Sequence, residues 1–333
     1  MAQPTNSAVH VDAALTNISV AFLQNADNFV ATKVFPNVPV AKQSDRYFVF
    51  DRGDFNRDEA QVRAPGTESA GGGYELDNTP TYFANVFAFH HDVPDQIRAN
   101  ADPAVDVERA ATEYVMHKML IRREKAWTAS FFSSGVWANE ETGVDSNPSA
   151  GETIRWSDQT SGDPIGDIRA AKTKILESTG YMPNRLVLTQ PVMDALVDHP
   201  DIVDRVKYSG GVGNTSPAMV NEQTLAALFG IDQVVISRAI ENTAAQGTEA
   251  SHSFISGNNA LLTHAAQAPS LMTPTGGYTF SWSGFMGQSN AFGVATKRFY
   301  IDEIESTRVE GQMAFDQKLV SADLGYFFGS IVS

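Results

Sequence analysis

The 333-residue sequence contains no cysteine, which excludes disulfides, thiolate metal sites and cysteine nucleophiles. It is short of positive charge: 24 Lys and Arg stand against 39 Asp and Glu, a formal net charge of −15. A protein that grips nucleic acid through its phosphates needs a basic surface, so a transcription factor or nuclease is disfavoured. A wall that merely encloses DNA is not. No run of about 18 apolar residues is present, so no membrane-spanning helix is expected. The first residues (Met1-Ala-Gln-Pro-Thr-Asn-Ser7) lack a basic region followed by an apolar stretch, so no secretion signal is expected, and the chain reads as soluble and cytoplasmically made. Gly (25) and Pro (15) are near ordinary use, which argues against a fibrous protein.

Catalytic signatures are also missing. No phosphate-binding loop of the Gly-x-x-x-x-Gly-Lys-Ser/Thr type occurs; Ser209-Gly-Gly-Val-Gly-Asn214 follows a helical pattern and reads as a mobile loop. Ser281-Trp-Ser283-Gly is no nucleophile elbow, because Tyr278 to Trp282 alternates like a strand with no helix after it. His90-His91-Asp92 is the one close cluster of metal-type ligands, but neighbours on a strand point to opposite faces. No cofactor, metal or catalytic residue is therefore assigned.

Hydrophobic residues make up 42% and charged residues 19% of the chain, enough for two subdomains with cores of their own. Residues 1–30 are polar with scattered apolar anchors (Val11, Leu15, Ile18, Val20, Phe22, Leu23) and read as an arm that packs on something else. Pro36 and Pro39 make residues 31–44 a rigid, extended connector. Strands are expected at Arg46–Phe50 and Thr81–His90, with Phe83, Phe87 and Phe89 on one face. Between them lie about 30 residues rich in charge, then Gly71-Gly-Gly73, a length rare inside a compact monomer. The expected form is a two-stranded projection with a polar tip. Its charges, Arg52, Asp54, Arg57, Asp58, Glu59 and Arg63, are candidates for pairing with a neighbouring subunit.

Asp102 and Pro103 suit the start of a long helix running to about Ser130, roughly 40 Å at 1.5 Å per residue. Val107, Ala111, Tyr114 and Ile121 lie near one stripe and Val115, Met119 and Ala126 near another. After Gly/Ser/Asn-rich residues 133–164, short helices and strands alternate. Helices are expected at Pro164–Glu177, stopped by Gly180, then from Pro191, from Pro200, and after Asn221, stopped by Gly230. Strands are expected at Arg185–Thr189, Gln233–Ser237 and Asn259–Leu262. From Pro269 the chain turns to β, with Tyr278–Trp282, one long strand run at Phe299–Val309, and an apolar end, Ala322–Val332, tucked into the core.

This order of parts resembles major capsid proteins of tailed bacteriophages of the Hong Kong 97 (HK97) type. Within it, Val34-Phe-Pro-Asn-Val-Pro-Val-Ala-Lys-Gln-Ser-Asp-Arg-Tyr47 resembles the family's passage from arm to hairpin. Thr189-Gln-Pro-Val-Met-Asp-Ala-Leu-Val-Asp-His-Pro-Asp-Ile-Val-Asp-Arg-Val-Lys-Tyr208 resembles its His-Pro-Asp-Ile stretch in the axial domain. The resemblance implies an α+β, HK97-like capsid fold: N-terminal arm (1–44), extended hairpin loop (45–92), peripheral domain with a spine helix (93–165), α/β axial domain (166–274) and return strands of the peripheral domain (275–333). It further implies self-assembly into hexamers and pentamers around packaged double-stranded DNA, assembly in the bacterial host cytoplasm, and scaffold, portal and decoration proteins as partners. The sequence opens on an arm-like segment, so a scaffold is expected to be separate or absent. An encapsulin shell, which shares the fold, is the alternative; a soluble α/β enzyme and a tail or baseplate component stand behind it.

Overall fold

In the computed structural model, residues 24–50, 52–101, 106–209, 220–270, 273–284 and 294–333 are described; the side chains of Arg52, Tyr208, Ser209 and Val294 are not. Residues 1–23 of the expected arm, the proposed helix start at Asp102-Pro103, and the glycine loop from Gly210 to Asn214 lie outside these ranges.

The chain enters through an extended run. β1 (Asn37–Val40) carries Pro39 and lies at a sheet edge, where a missing N–H costs no ladder bond. The expected strand at Arg46–Phe50 forms in two pieces, β2 (Ser44–Arg46) and β3 (Val49–Phe50). A single turn, α1 (Arg52–Phe55), follows, and the chain returns through β4 (Leu76–Asp77) and β5 (Thr81–Phe83). β6 (Asn85–Pro94) is separated from β5 by Ala84, which is fully buried. Thr81–His90 is therefore not one strand: Phe83 is half exposed, whereas Phe87 and Phe89 pack beside Met119, Met313 and Phe315.

After α2 (Asp95–Asn100), the long helix α3 spans Val107–Phe131, 25 residues or about 37 Å. Its cap is Asp106, which accepts the Arg109 N–H at 3.0 Å. The expected cap, Asp102, lies outside the described residues, and Asp106 holds this end of the described helix. The buried face runs Ala111, Val115, Met119, Arg123, Trp127, Phe131, a strict four-residue row, with Glu124 beside it. Tyr114, expected on the apolar stripe, is 41% exposed and meets Phe89 and His91 edge-on.

β7 (Asn139–Val144) and β8 (Glu152–Ile154) precede α4 (Pro164–Thr179), which is capped by Asp163 and closed by Gly180 in a left-handed conformation. β9 (Arg185–Thr189), α5 (Gln190–Val197), α6 (Pro200–Ser209) and α7 (Glu222–Phe229) follow, and Asn221 with Thr224 forms a capping box on α7. β10 (Gln233–Ser237), β11 (Ile240–Asn242), β12 (His252–Phe254) and β13 (Ala260–Thr263) complete the α/β unit. The final strands are β14 (Gly277–Trp282), β15 (Val294–Ile301), β16 (Ser306–Leu319) and β17 (Gly325–Gly329). The run expected as one strand at Phe299–Val309 is thus two antiparallel strands, reversed at Asp302–Glu305 with Glu305 at φ 42°.

Two large sheets organise these strands. One has the order β1-β14-β16-β15, with β6 on the other side of β16. The other has the order β10-β9-β13-β17-β7-β8. Strands in the middle of the second sheet bury both faces, which is why they read as unbroken apolar runs. Leu186, Leu188, Val234, Ile236, Leu262 and Phe328 face the core of α4–α7, while Val187, Val235, Leu261 and Phe327 face Trp127, Phe131, Val34 and Phe35. β7, β8 and β17, placed by the sequence reading with the peripheral strands, hydrogen-bond into this second sheet.

Candidate assembly surfaces

The extended loop has a fixed root and an exposed tip. At the root β2 pairs with β5, and Ala84 exchanges bonds with Gln43, whose carbonyl accepts its N–H at 2.8 Å. Tyr82 stacks on Phe280 at 4.6 Å, and the Phe83 N–H donates to Asp316 at 2.8 Å, tying the root to β14 and β16. Beyond it, β3 pairs with β4, and Phe50, Phe55 and Tyr74 form an aromatic trio at 5.5–6.1 Å. From Asn56 to Glu75 no helix or strand forms and every residue is exposed, Val62 completely so. Ordering a backbone residue costs about 1–2 kcal/mol, and this stretch buries almost nothing of its own chain in return.

The six charged candidates all lie at the base and near arm of this loop. Arg52 opens α1. Asp54 accepts the Glu75 N–H at 2.9 Å and sits 3.6 Å from Arg57, which also reaches Glu59 at 3.3 Å. Arg63 donates to the Thr67 carbonyl at 2.5 Å, and Asp58 is exposed. Within one chain, then, Arg57 pairs with both Asp54 and Glu59; such exposed pairs are worth little.

From residue 24 onward the N-terminal segment is built into its own chain. Gln24 pairs by its side-chain amide with both backbone groups of Ile240, at 2.6 and 2.8 Å. Glu124, fully buried on α3, accepts the Val30 N–H on both oxygens at 3.1 and 3.0 Å and the Ala31 N–H at 2.9 Å. Burial pushes its carboxyl above the usual range, against the pull of those N–H groups, Arg123 and Lys33. Arg185 donates to the carbonyls of both Lys33 and Val34. Phe35 then packs on Phe131, and β1 runs parallel to β14. Sequence reasoning missed Glu124 and Arg185 as anchors, since a charge on a helix or at a strand start ordinarily reads as solvated.

The far end of the β16 sheet is held by charge. Asp92 and Arg308 are ladder partners joined by two bonds. Glu108 bridges Arg98 at 3.3 Å and Arg298 at 2.6 Å, and Asp95 accepts from Arg98 and Tyr300, each at 2.7 Å. Along β15, Lys297, Arg298, Phe299 and Tyr300 remain exposed at the sheet edge.

Among the described residues no three His, Asp or Glu side chains converge as metal ligands, and no helix is long and apolar enough to cross a membrane. His90 turns toward Asp92 at 3.9 Å while His91 meets Tyr114, on opposite faces as the strand geometry requires.

A family model described as phage major capsid protein E matches residues 145–277, from the approach to β8 through the α/β unit to the start of β14. The major capsid protein of Pseudomonas phage JBD67 is 27% identical over 334 residues, covering 99% of each chain. Among solved structures, a phage-related protein from Bordetella bronchiseptica RB50 superposes with a TM-score of 0.66 at 20% identity, over 91% of this chain and 92% of that one. A chain of the bacteriophage PhiM1 mature capsid gives 0.56 at 16% identity, over 96% and 92%.

Proposed function

We infer that the chain is a phage major capsid protein of the HK97 type, whose copies build the shell of the virion. The full-length likeness to a phage major capsid protein supports this, and the fold is that of capsid subunits. One structural observation carries the reading further: the stretch from Asn56 to Glu75 projects from a firmly held root and buries almost nothing within its own chain. Such a segment is stabilised by area supplied from outside, and in a shell that area is a neighbouring copy.

In this reading the copies form hexamers and pentamers that close into the icosahedral head of a tailed phage, assembled in the bacterial host cytoplasm. The role is structural rather than enzymatic. Residues 1–44 act as arm, with 24–35 as its built-in base; 45–92 as extended loop; 93–165 with 275–333 as peripheral domain; and 166–274 as axial domain, the six-stranded sheet joining the last two. Arg52, Asp54, Arg57, Asp58, Glu59 and Arg63 exchange their local contacts for partners across the subunit boundary. Double-stranded DNA is enclosed without sequence-specific binding, consistent with a net charge of −15. A scaffold, a portal and decoration proteins complete the set of partners.

Negative-stain microscopy of the expressed protein, alone and with its scaffold, tests the reading: closed shells are expected, and a chain that stays monomeric with scaffold present counts against it. Deleting residues 53–78 leaves a folded subunit that makes no stable shells; normal shells from that deletion refute the loop's role. Native particles are expected to hold DNA, whereas a protein cargo would indicate an encapsulin.

A further inference from the structure

β15 is uncovered on three sides. Among the described residues no strand pairs with its outer edge, and all five residues from Thr296 to Tyr300 are exposed. Neighbours on a strand point to opposite faces, so both faces are open as well as the edge. Phe299 is 43% exposed on one face and Tyr300 48% on the other. Thr296, Arg298 and Tyr300 turn toward α3 and α2, where they reach Met116, Glu108 and Asp95. Ala295, Lys297, Phe299 and Ile301 lie on the far face. A long exposed edge is a template for one more strand. This one is guarded against a copy of itself. Antiparallel self-pairing centred on the strand sets Lys297 against Arg298, and like charges directly opposite are destabilising.

The extended loop holds a segment with the opposite deficiency. Arg57 to Ala64 runs without helix, turn or bend, is exposed throughout, and pairs with no strand among the described residues. Its sequence nevertheless alternates. Asp58, Ala60, Val62 and Ala64 share one side of an extended chain, and Arg57, Glu59, Gln61 and Arg63 share the other. Small and apolar residues at every second position are the pattern of a half-buried strand, and the segment matches the eight residues of β15 in length. The loop does not reach β15 of its own chain, since every residue from Asn56 to Glu75 is exposed.

We propose, on the reading of the chain as a shell subunit, that Arg57–Ala64 of one copy adds as a parallel strand to the open edge of β15 on the next copy. Such strand addition is held by backbone hydrogen bonds and made specific by side-chain matching. One register satisfies both charge and face: Asp58 opposite Lys297, Glu59 opposite Arg298, Ala60 opposite Phe299 and Val62 opposite Ile301. Acid then meets base on each face, and the apolar side of the segment falls on the far face with Phe299 and Ile301. An antiparallel strand matching the same charges turns Ala60 and Val62 toward Thr296 and Arg298 instead. Lys297 and Arg298 both have partners on their own chain, but an ammonium carries three donors and a guanidinium five, so each takes a further carboxylate. Glu59 meets Arg57 through Oε1, and its carboxylate has a second oxygen. A loop on one copy meeting an edge on the next is a head-to-tail contact, the kind that closes into rings.

The chain has no cysteine, so engineered disulfides report the contact directly. Ala60→Cys protein is co-assembled in turn with Phe299→Cys, Arg298→Cys and Tyr300→Cys protein, each variant assembled alone being the control. The shells are collected, oxidised and run on a non-reducing gel. Residues directly opposite in a ladder lie within disulfide reach. Linked dimers are therefore expected with Phe299→Cys and not with its two neighbours, which point the other way. Closed shells that lack this dimer, or that link equally at all three positions, overturn the proposal and leave the shell reading standing. Wild-type protein that forms no shells with scaffold present overturns both. Charge reversal gives a second readout at two exposed positions. Asp58→Lys and Lys297→Asp are each expected to lower the yield of shells, and the two together to restore it. A double variant with no restoration overturns the register, and the proposal with it.

Discussion

Asp92 and Arg308 stand directly opposite one another on neighbouring strands, 216 positions apart in sequence, and meet through two bonds of 2.6 and 2.8 Å. The geometry is the side-on fork that guanidinium and carboxylate form best. Hydrogen bonding from Arg308, the largest influence, holds the Asp92 carboxyl below its ordinary value of 3.8.

This pair makes a pH prediction with a definite sign. A carboxyl whose folded pKa lies below its unfolded one contributes stability that is present above the unfolded value and lost as pH falls through the folded value. Asp92→Asn is expected to cost about 1.5–3 kcal/mol at neutral pH. Urea unfolding of wild type and variant should show that gap closing only below about pH 4, and a constant gap down to pH 2 would contradict the pairing.

Glu124 gives a sharper test of how the N-terminal segment is held. Glu124→Leu leaves the Val30 and Ala31 N–H groups buried without partners, at about 1–3 kcal/mol each. Hydrogen exchange at residues 30 and 31 should accelerate well beyond the rest of the core. Glu124→Gln keeps one acceptor oxygen and is expected to fall between the two.

At Gly311, α3 lies directly against β16. A Cβ there would stand 2.7 Å from Val115 Cγ1 and 3.4 Å from Met119 Cγ. Gly311→Ala should therefore cost about 1–3 kcal/mol by overpacking. Combining it with Val115→Ala should cost less than the two single changes added together, which a double-mutant cycle measures.

Arg57 and Arg63 are exposed in a stretch without helix or strand, so trypsin should cut there before anywhere else among the described residues of the unassembled chain. In assembled shells both cuts should disappear. Equal cleavage in the two states would mean that the loop gains no cover from a neighbour.

The sequence displayed some features directly and hid others for physical reasons. β9 and β10 were visible because both faces of each are buried, so Leu186-Val-Leu188 and Val234-Val-Ile236 carry no polar interruption. The ends of α4 and α7 were visible through Asp163, Asn221, Gly180 and Gly230, each doing local work that only its residue type does well. The reversal between β15 and β16 was hidden, because Asp302-Glu-Ile-Glu305 turns without glycine, proline or asparagine. Glu124 and Arg185 were hidden because what they bind is backbone, which leaves no trace in side-chain pattern. The loop's charges were conspicuous, but Arg57 meets Asp54 and Glu59 within three residues of itself, contacts too local for a length argument to reveal.

β16 has a mechanical consequence. It is ladder partner to β6 along ten positions on one side and to β14 and β15 on the other, and β6 continues into the root of the extended loop. Tension applied to the loop therefore acts along the strands, not across them. Ten ladder positions resist together in shear, where peeling would let them fail one after another. Through β14 the same load passes to β1, and so to the segment clamped by Glu124 and Arg185. A pull on the loop thus reaches the two-sided core through Val34 and Phe35, where that segment packs against Val187, Val235, Leu261 and Phe327.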